Sequence, residues 1–165
     1  MSVVSVNTHT YTAGYLTANL IKSLTDIIKA VGLDPGEMAT DTLDRGLKRW
    51  IETEDLQKLV LEIYARSSNA LVGRFDFDLD YTYSTGDSGG FWLDTGQVTF
   101  AIRKAGLSPA GCSYAVVATT KPGRPDVPGW TSTSFRSTDG MTRHAVGTAI
   151  GAGAAAAGLA YYSRS

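Results

Sequence analysis

Two groups of residues in this 165-residue sequence invite a chemical reading. Asp76, Asp78 and Asp80 alternate along one stretch, and several carboxylate oxygens in one place are what a hard cation needs. Alternate positions on a strand share one face at a spacing of about 7 Å, so a second element would have to complete the shell. Arg74 falls on the same face, with Lys58 available across a hairpin, and together they point instead to a solvated strand side. Cys112 and His144 form the second group, a nucleophile and a base with Asp139 as orienter. Nothing in their spacing joins them, and a lone cysteine reads first as a small buried hydrophobe.

Other motifs lack their context. Ser88 in Gly86-Asp-Ser-Gly-Gly90 resembles the serine-protease nucleophile segment, but the chain has no upstream histidine of the required kind and no room for a second all-β domain. The glycine-rich stretch Gly151 to Gly158 has neither the Gly-Lys-Ser/Thr ending of a Walker loop nor a dinucleotide fingerprint. Trp50, Trp92 and Trp130 could stack bases, but the net charge of −1 supplies no cationic groove, so core and loop-anchoring roles fit them better. With one cysteine and His9 and His144 as the two histidines, zinc-ligand spacing is absent. No catalytic residue, metal or cofactor is expected. A reducing cytoplasm is the natural setting for the single thiol, and no secretory signal is legible at the N-terminus.

These residues must be placed by some set of elements, and the length suggests one domain. The first residues alternate Val4 and Val6 with Ser5 and Asn7 and continue through Thr8, Thr10 and Thr12, which predicts a strand or a loosely held arm. From Ala13, Leu16, Leu20, Leu24, Ile27, Ile28 and Val31 recur at three and four residues, a long amphipathic helix stopped by Gly32 and Asp34-Pro35. Leu43, Leu47, Trp50 and Ile51 predict a second helix despite Gly46.

Then the period falls to two. Leu59, Leu61 and Ile63, followed by Phe75, Phe77, Leu79 and Tyr81, predict an antiparallel hairpin with one buried face. Asp94 caps a third helix through Val98, Ala101 and Ile102 that ends at Gly106. Residues 114–119 predict a further strand. Beyond them, three prolines and two glycines in residues 121–130 exclude a helix or a central strand. The uncharged run 145–162 raises the question of a membrane span, but alanine and glycine supply little insertion energy, and a flexible or partner-dependent tail is the expectation. The class is α+β, with helices backing an antiparallel sheet.

Particular words in the sequence carry a family resemblance. Leu20-Ile-Lys-Ser-Leu-Thr-Asp-Ile-Ile28, Gly32-Leu-Asp-Pro35, Leu59-Val-Leu-Glu-Ile-Tyr64, Gly90-Phe-Trp-Leu-Asp-Thr95, Lys104-Ala-Gly-Leu107, Thr120-Lys-Pro-Gly-Arg-Pro-Asp-Val127 and Arg136-Ser-Thr-Asp-Gly-Met141 resemble the bacterial HORMA-domain proteins of CBASS antiphage operons. The resemblance spans nearly the whole chain and fades after Thr142, in the Gly/Ala-rich end. It implies a three-stranded antiparallel sheet backed by helices and a C-terminal safety belt able to take two positions on one core. It also implies capture of a short closure-motif peptide as an added strand.

As partners the resemblance implies a cGAS-like nucleotidyltransferase, bound and activated by the closed form, and an AAA+ remodelling ATPase that reopens it; no nucleic acid or membrane is implied. The expected organisation is one HORMA domain over 1–165, with an N-terminal arm at 1–11, a core at 12–120 and the belt at 121–165. Trp130 and Phe135 are the expected peptide anchors, and Arg136, Asp139 and Met141 a hinge or docking corner. Val3, Val4, Val6 and His9 are the expected remodeller handle. The alternative is a constitutive, self-closed or oligomeric scaffold, with Leu159, Tyr161 and Tyr162 as a self-motif.

Overall fold

Leu16, Leu20, Leu24, Ile27 and Ile28 are all fully buried, and their spacing makes them one stripe of helix α1 (Thr8–Ala30). The computed structural model describes residues 8–81, 90–107, 110–153 and 155–164. Gly32, at φ 90, ends α1, and a 3-10 turn (Pro35–Glu37) capped by Asp34 leads into α2 (Thr40–Glu52). Leu43, Leu47, Trp50 and Ile51 form the buried stripe of α2. Gly46 is buried beside them against the indole of Trp130, where a Cβ would collide with the ring.

Strands β1 (Leu56–Ala65) and β2 (Leu71–Asp80) pair antiparallel, with Leu59 opposite Phe77 and Leu61 opposite Phe75. A short β3 (Phe91–Leu93) precedes α3 (Thr95–Ala105). Asp94 caps α3 by accepting from the N–H groups of Gly96 and Gln97, and Gly106 ends it in the left-handed conformation. β4 (Cys112–Thr120), β5 (Met141–Ala152) and β6 (Ala155–Arg164) complete one antiparallel sheet in the order β3-β5-β6-β2-β1-β4. Its inner face packs on α1, α2 and α3 through one continuous apolar core. No described helix is long and apolar enough to cross a membrane.

Four expectations are corrected. α1 begins at Thr8, so residues 8–12, whose composition predicts a strand or loosely held arm, are helical. Thr12 and Ala13 are buried there, and the Thr12 hydroxyl donates to the Ala152 carbonyl at 3.2 Å, a tertiary contact that overrides the β-preference of threonine. The residues after Gly140 form β5 and β6 rather than a flexible tail, and β6 lies in the interior of the sheet. Ala149, Ala152, Ala155 and Ala157 are buried where α1 and α3 approach these strands, and small side chains permit that approach. The implied three-stranded sheet, present as β2-β1-β4, is extended by β6, β5 and β3 to six strands.

The fourth correction concerns the other face of the hairpin. Glu62 and Asp76 are fully buried and Arg74 is nearly so, although they sit on the face expected to be solvated. The reason is distant in sequence. Residues 121–140 leave β4 at one edge of the sheet and must reach β5 on the far side of β6, and on the way they lie across the outer face of β1 and β2. Of the three aspartates, Asp78 keeps a half-exposed side chain, bridged by Lys58 and by Arg143 at 2.6 Å.

Candidate functional site

β4 pairs with β1 on one side and ends the sheet on the other. In such an edge strand every second residue turns its N–H and C=O away from the sheet. The crossover, residues 121–140, makes a groove of this edge. Lys121 N–H donates to Asp55 O at 2.9 Å, and the Pro125 carbonyl accepts from Trp50 Nε1 at 2.7 Å. Trp130 Nε1 donates to Thr42 O at 3.0 Å, and its ring meets Trp50 edge-on at 4.8 Å. The crossover thus swings around α2 before returning past β4.

Two hollows lie between these walls. One, of about 330 Å³, runs along residues 116–120 of β4, between Trp50 and Arg124 on one side and residues 130–135 on the other. The second, of about 260 Å³, lies between Met38 and Leu43 and residues 114–116 of β4. Val116 and Trp130 line both, so the two form one groove along the edge with the Trp130 indole at its middle.

Past the groove the crossover is fastened to the outer face. Glu62 is fully buried in β1 and accepts from the backbone N–H of Arg136 at 2.8 Å and from its Nη1 at 2.6 Å. The same guanidinium donates to Asn69 Oδ1 and lies 3.6 Å over the Tyr64 ring. In β2, Arg74 grips Asp76 through two hydrogen bonds of 2.7 and 3.1 Å. Phe135 and Tyr162 flank the Arg74 guanidinium at 4.5 and 4.8 Å. Burial alone would lower the pKa of Arg74, but the hydrogen bond and charge of Asp76 outweigh it, and the pKa is raised.

Of the residues singled out in the sequence, the structure brings Trp130 and Phe135 to the same hollow. Arg136 lies beyond it as the fastening just described. Asp139 is in the turn before β5, its N–H held by Ser137 Oγ, and Met141 opens β5 opposite Arg164; neither lines the groove. Val3, Val4 and Val6 fall outside the described residues, as does Ser88, and the backbone of His9 is in the first turn of α1. Leu159, Tyr161 and Tyr162 belong to β6, paired with β2 on one side and β5 on the other. Cys112 and His144 sit on strands separated by three others, so they form no dyad. Among the described residues no cluster of His, Cys, Asp and Glu could hold a metal ion.

Arg124, Glu62 and the β4 edge itself escaped the sequence reading, which gave Trp50 a core and loop-anchoring role but no place in a groove. Trp50 looks like any core tryptophan until its Nε1 needs an acceptor, and Pro125 supplies it from the far side of the groove. Glu62 follows the alternation of a solvated strand, and nothing nearby in sequence signals its partner. Nothing in this arrangement activates a nucleophile; an open strand edge beneath a roof suits main-chain pairing with an extended segment.

Comparison with known proteins places this geometry. The profile of the bacterial HORMA domain 2 family matches residues 1–165. No curated protein sequence matches the chain. Among solved structures, C. elegans HTP-2 bound to the HIM-3 closure motif superposes with a TM-score of 0.64 at 11% identity, covering 98% of this chain and 99% of that one. A chain of the mitotic checkpoint complex gives 0.64 at 11% identity, covering 91% and 99%. A chain of the E. coli MS115-1 HORMA:CdnC:Trip13 complex gives 0.61 at 12% identity, covering 100% and 96%. At such identities these likenesses establish the fold.

Proposed function

The chain belongs to the bacterial HORMA domain 2 family, and from that premise we propose that it is a peptide-sensing switch rather than an enzyme. A short closure-motif peptide enters the groove as an added strand on β4, beneath residues 130–135. The crossover together with the β5–β6 hairpin acts as the safety belt. With that hairpin beside β2, the edge of β4 is left open to a peptide, which we read as the closed arrangement. The second position of the belt would put its hairpin on the β4 edge, where peptide and hairpin exclude one another. The single observation that carries this reading is an edge strand roofed by a segment fastened on both sides of it.

The E. coli HORMA:CdnC:Trip13 complex supports the rest of the cycle. In its likeness, the closed chain binds and activates a cGAS-like nucleotidyltransferase in antiviral defence, and an AAA+ remodelling ATPase resets it from the N-terminus, with Val3, Val4, Val6 and His9 as the handle. The contact between Thr12 and Ala152 gives such a pull a route. Unwinding the start of α1 strips a hydrogen bond from the end of β5 and uncovers the alanine-lined hairpin.

Selection of displayed random peptides on the full chain tests the binding step, with winners remade in two forms N-methylated at alternate amides. Strand addition predicts that one alternate set abolishes binding and the other is tolerated, since only every second amide faces β4. Failure to enrich any peptide, or equal tolerance of both sets, would overturn the reading.

A further inference from the structure

The groove along β4 differs in charge from one end to the other. At the Tyr114 end it is lined by Glu37, with Asp34 close by, whose carbonyl accepts from the Tyr114 hydroxyl at 2.7 Å. Burial raises the pKa of Tyr114, and the negative charges of Glu37 and Asp34 raise it further, so that end lies in a negative field.

At the Thr120 end the groove is lined by Arg124, whose guanidinium rests 5.1 Å over the Trp50 ring. Its ion-pair partner, Asp126, is 2.9 Å away, with a fully exposed side chain against 27% for Arg124. An exposed partner of this kind binds weakly and is easily replaced by a carboxylate arriving in the groove. Among the described residues lining the two hollows, Arg124 is the one cation and Glu37 the one carboxylate. Arg136, next along the crossover, is already taken up by Glu62 and Asn69. The Trp130 indole, fixed to Thr42, lies between the two charged ends and keeps them apart.

We propose that this groove selects a peptide by charge polarity, taking an extended segment with an acidic side chain at the Arg124 end and a basic one at the Glu37 end. The proposal rests on peptide capture at β4 and names the chemistry of the occupant. The stretch from Tyr114 to Thr120 spans about 20 Å as a strand, which sets the length of the segment at about seven residues. Charge here acts chiefly on selectivity and encounter, while main-chain pairing and apolar contact with Val116 and Trp130 supply the common affinity.

The test is selection of random seven-residue displayed peptides on the full chain and on its Arg124→Glu, Arg124→Gln and Glu37→Lys variants, each first shown to melt like the parent. The parent chain should return Asp or Glu at one end of the consensus and Lys or Arg at the other. Arg124→Glu should reverse the preference at the first end alone and weaken binding of the parental winner about tenfold, and Arg124→Gln should erase that preference without reversing it. Glu37→Lys should act on the other end alone. The order of the two charges in the consensus gives the direction of the added strand. A consensus lacking charge at both ends and unmoved by the variants overturns the polarity and leaves peptide capture standing; no consensus on the parent chain overturns both.

Discussion

The two faces of the sheet are covered by different physics. On the inner face, α1, α2 and α3 bring Leu16, Leu20, Leu24, Leu47 and Trp50 onto Leu59, Leu61, Phe75 and Phe77, all at most 1% exposed. Apolar burial of this kind is non-directional and cumulative, at about 25 cal/mol per Å², so no single contact decides it. On the outer face, one extended segment is held by Arg136 on Glu62 and by Phe135 on Arg74. Buried ion pairs offset their desolvation only in the right geometry, so such a cover is held completely or released. Under the proposed reset cycle the cover comes away, and a few directional contacts suit that better than a large apolar area would.

The comparison breaks most visibly at the core. Phe77→Ala should cost about 3–5 kcal/mol, measured by urea denaturation as one cooperative loss of the whole domain. Arg136→Ala should cost less, about 2–3 kcal/mol, because it strands the buried carboxylate of Glu62. Its signature should be local, with cleavage by chymotrypsin after Trp130 or Phe135 accelerated well before the core unfolds. If both variants lose stability in one global transition, the two covers are not distinct. Phe135→Ala, removing a ring that is 39% exposed, should cost about 1 kcal/mol and loosen the same segment.

The smallest effect is a dependence on pH. Burial raises the pKa of Tyr81 above its usual value near 10, and the charges of Glu54 and Asp55 add to the rise. A raised folded pKa means stability that is complete below about pH 10 and lost as pH climbs toward the folded value, because the unfolded chain gives up its proton first. Tyr81→Phe should flatten that alkaline decline while sacrificing the hydrogen bond to Leu56 O, so the variant starts lower at neutral pH.

What was legible in the sequence follows the same division. α1, α2, the β1–β2 hairpin and α3 were readable because large apolar side chains recur with the period of the element, as at Leu16, Leu20 and Leu24 or at Phe75 and Phe77, and because Asp94 and Gly106 mark the ends of α3. β5 and β6 were not. Their alanines and glycines offer no contrast between faces, since small residues serve wherever helices or rings come close: Gly151 leaves room for Trp92, and Ala157 lies against the core. The burial of Glu62 was equally silent, because its partner Arg136 lies 74 residues further along the chain. Of the groove, Trp130 and Phe135 were named through the belt that the family resemblance implies, while Arg124, the groove-side role of Trp50 and the open edge of β4 emerged only from the topology.

Amide hydrogen exchange on the full chain, with and without a selected peptide, bears most directly on the claim that β4 is the receiving edge. Peptide should slow exchange at alternate amides of Cys112–Thr120 and along the crossover, while β3, at the opposite edge of the sheet, stays unchanged. Protection confined to β3 and β5, or no change in β4 at saturating peptide, would contradict it.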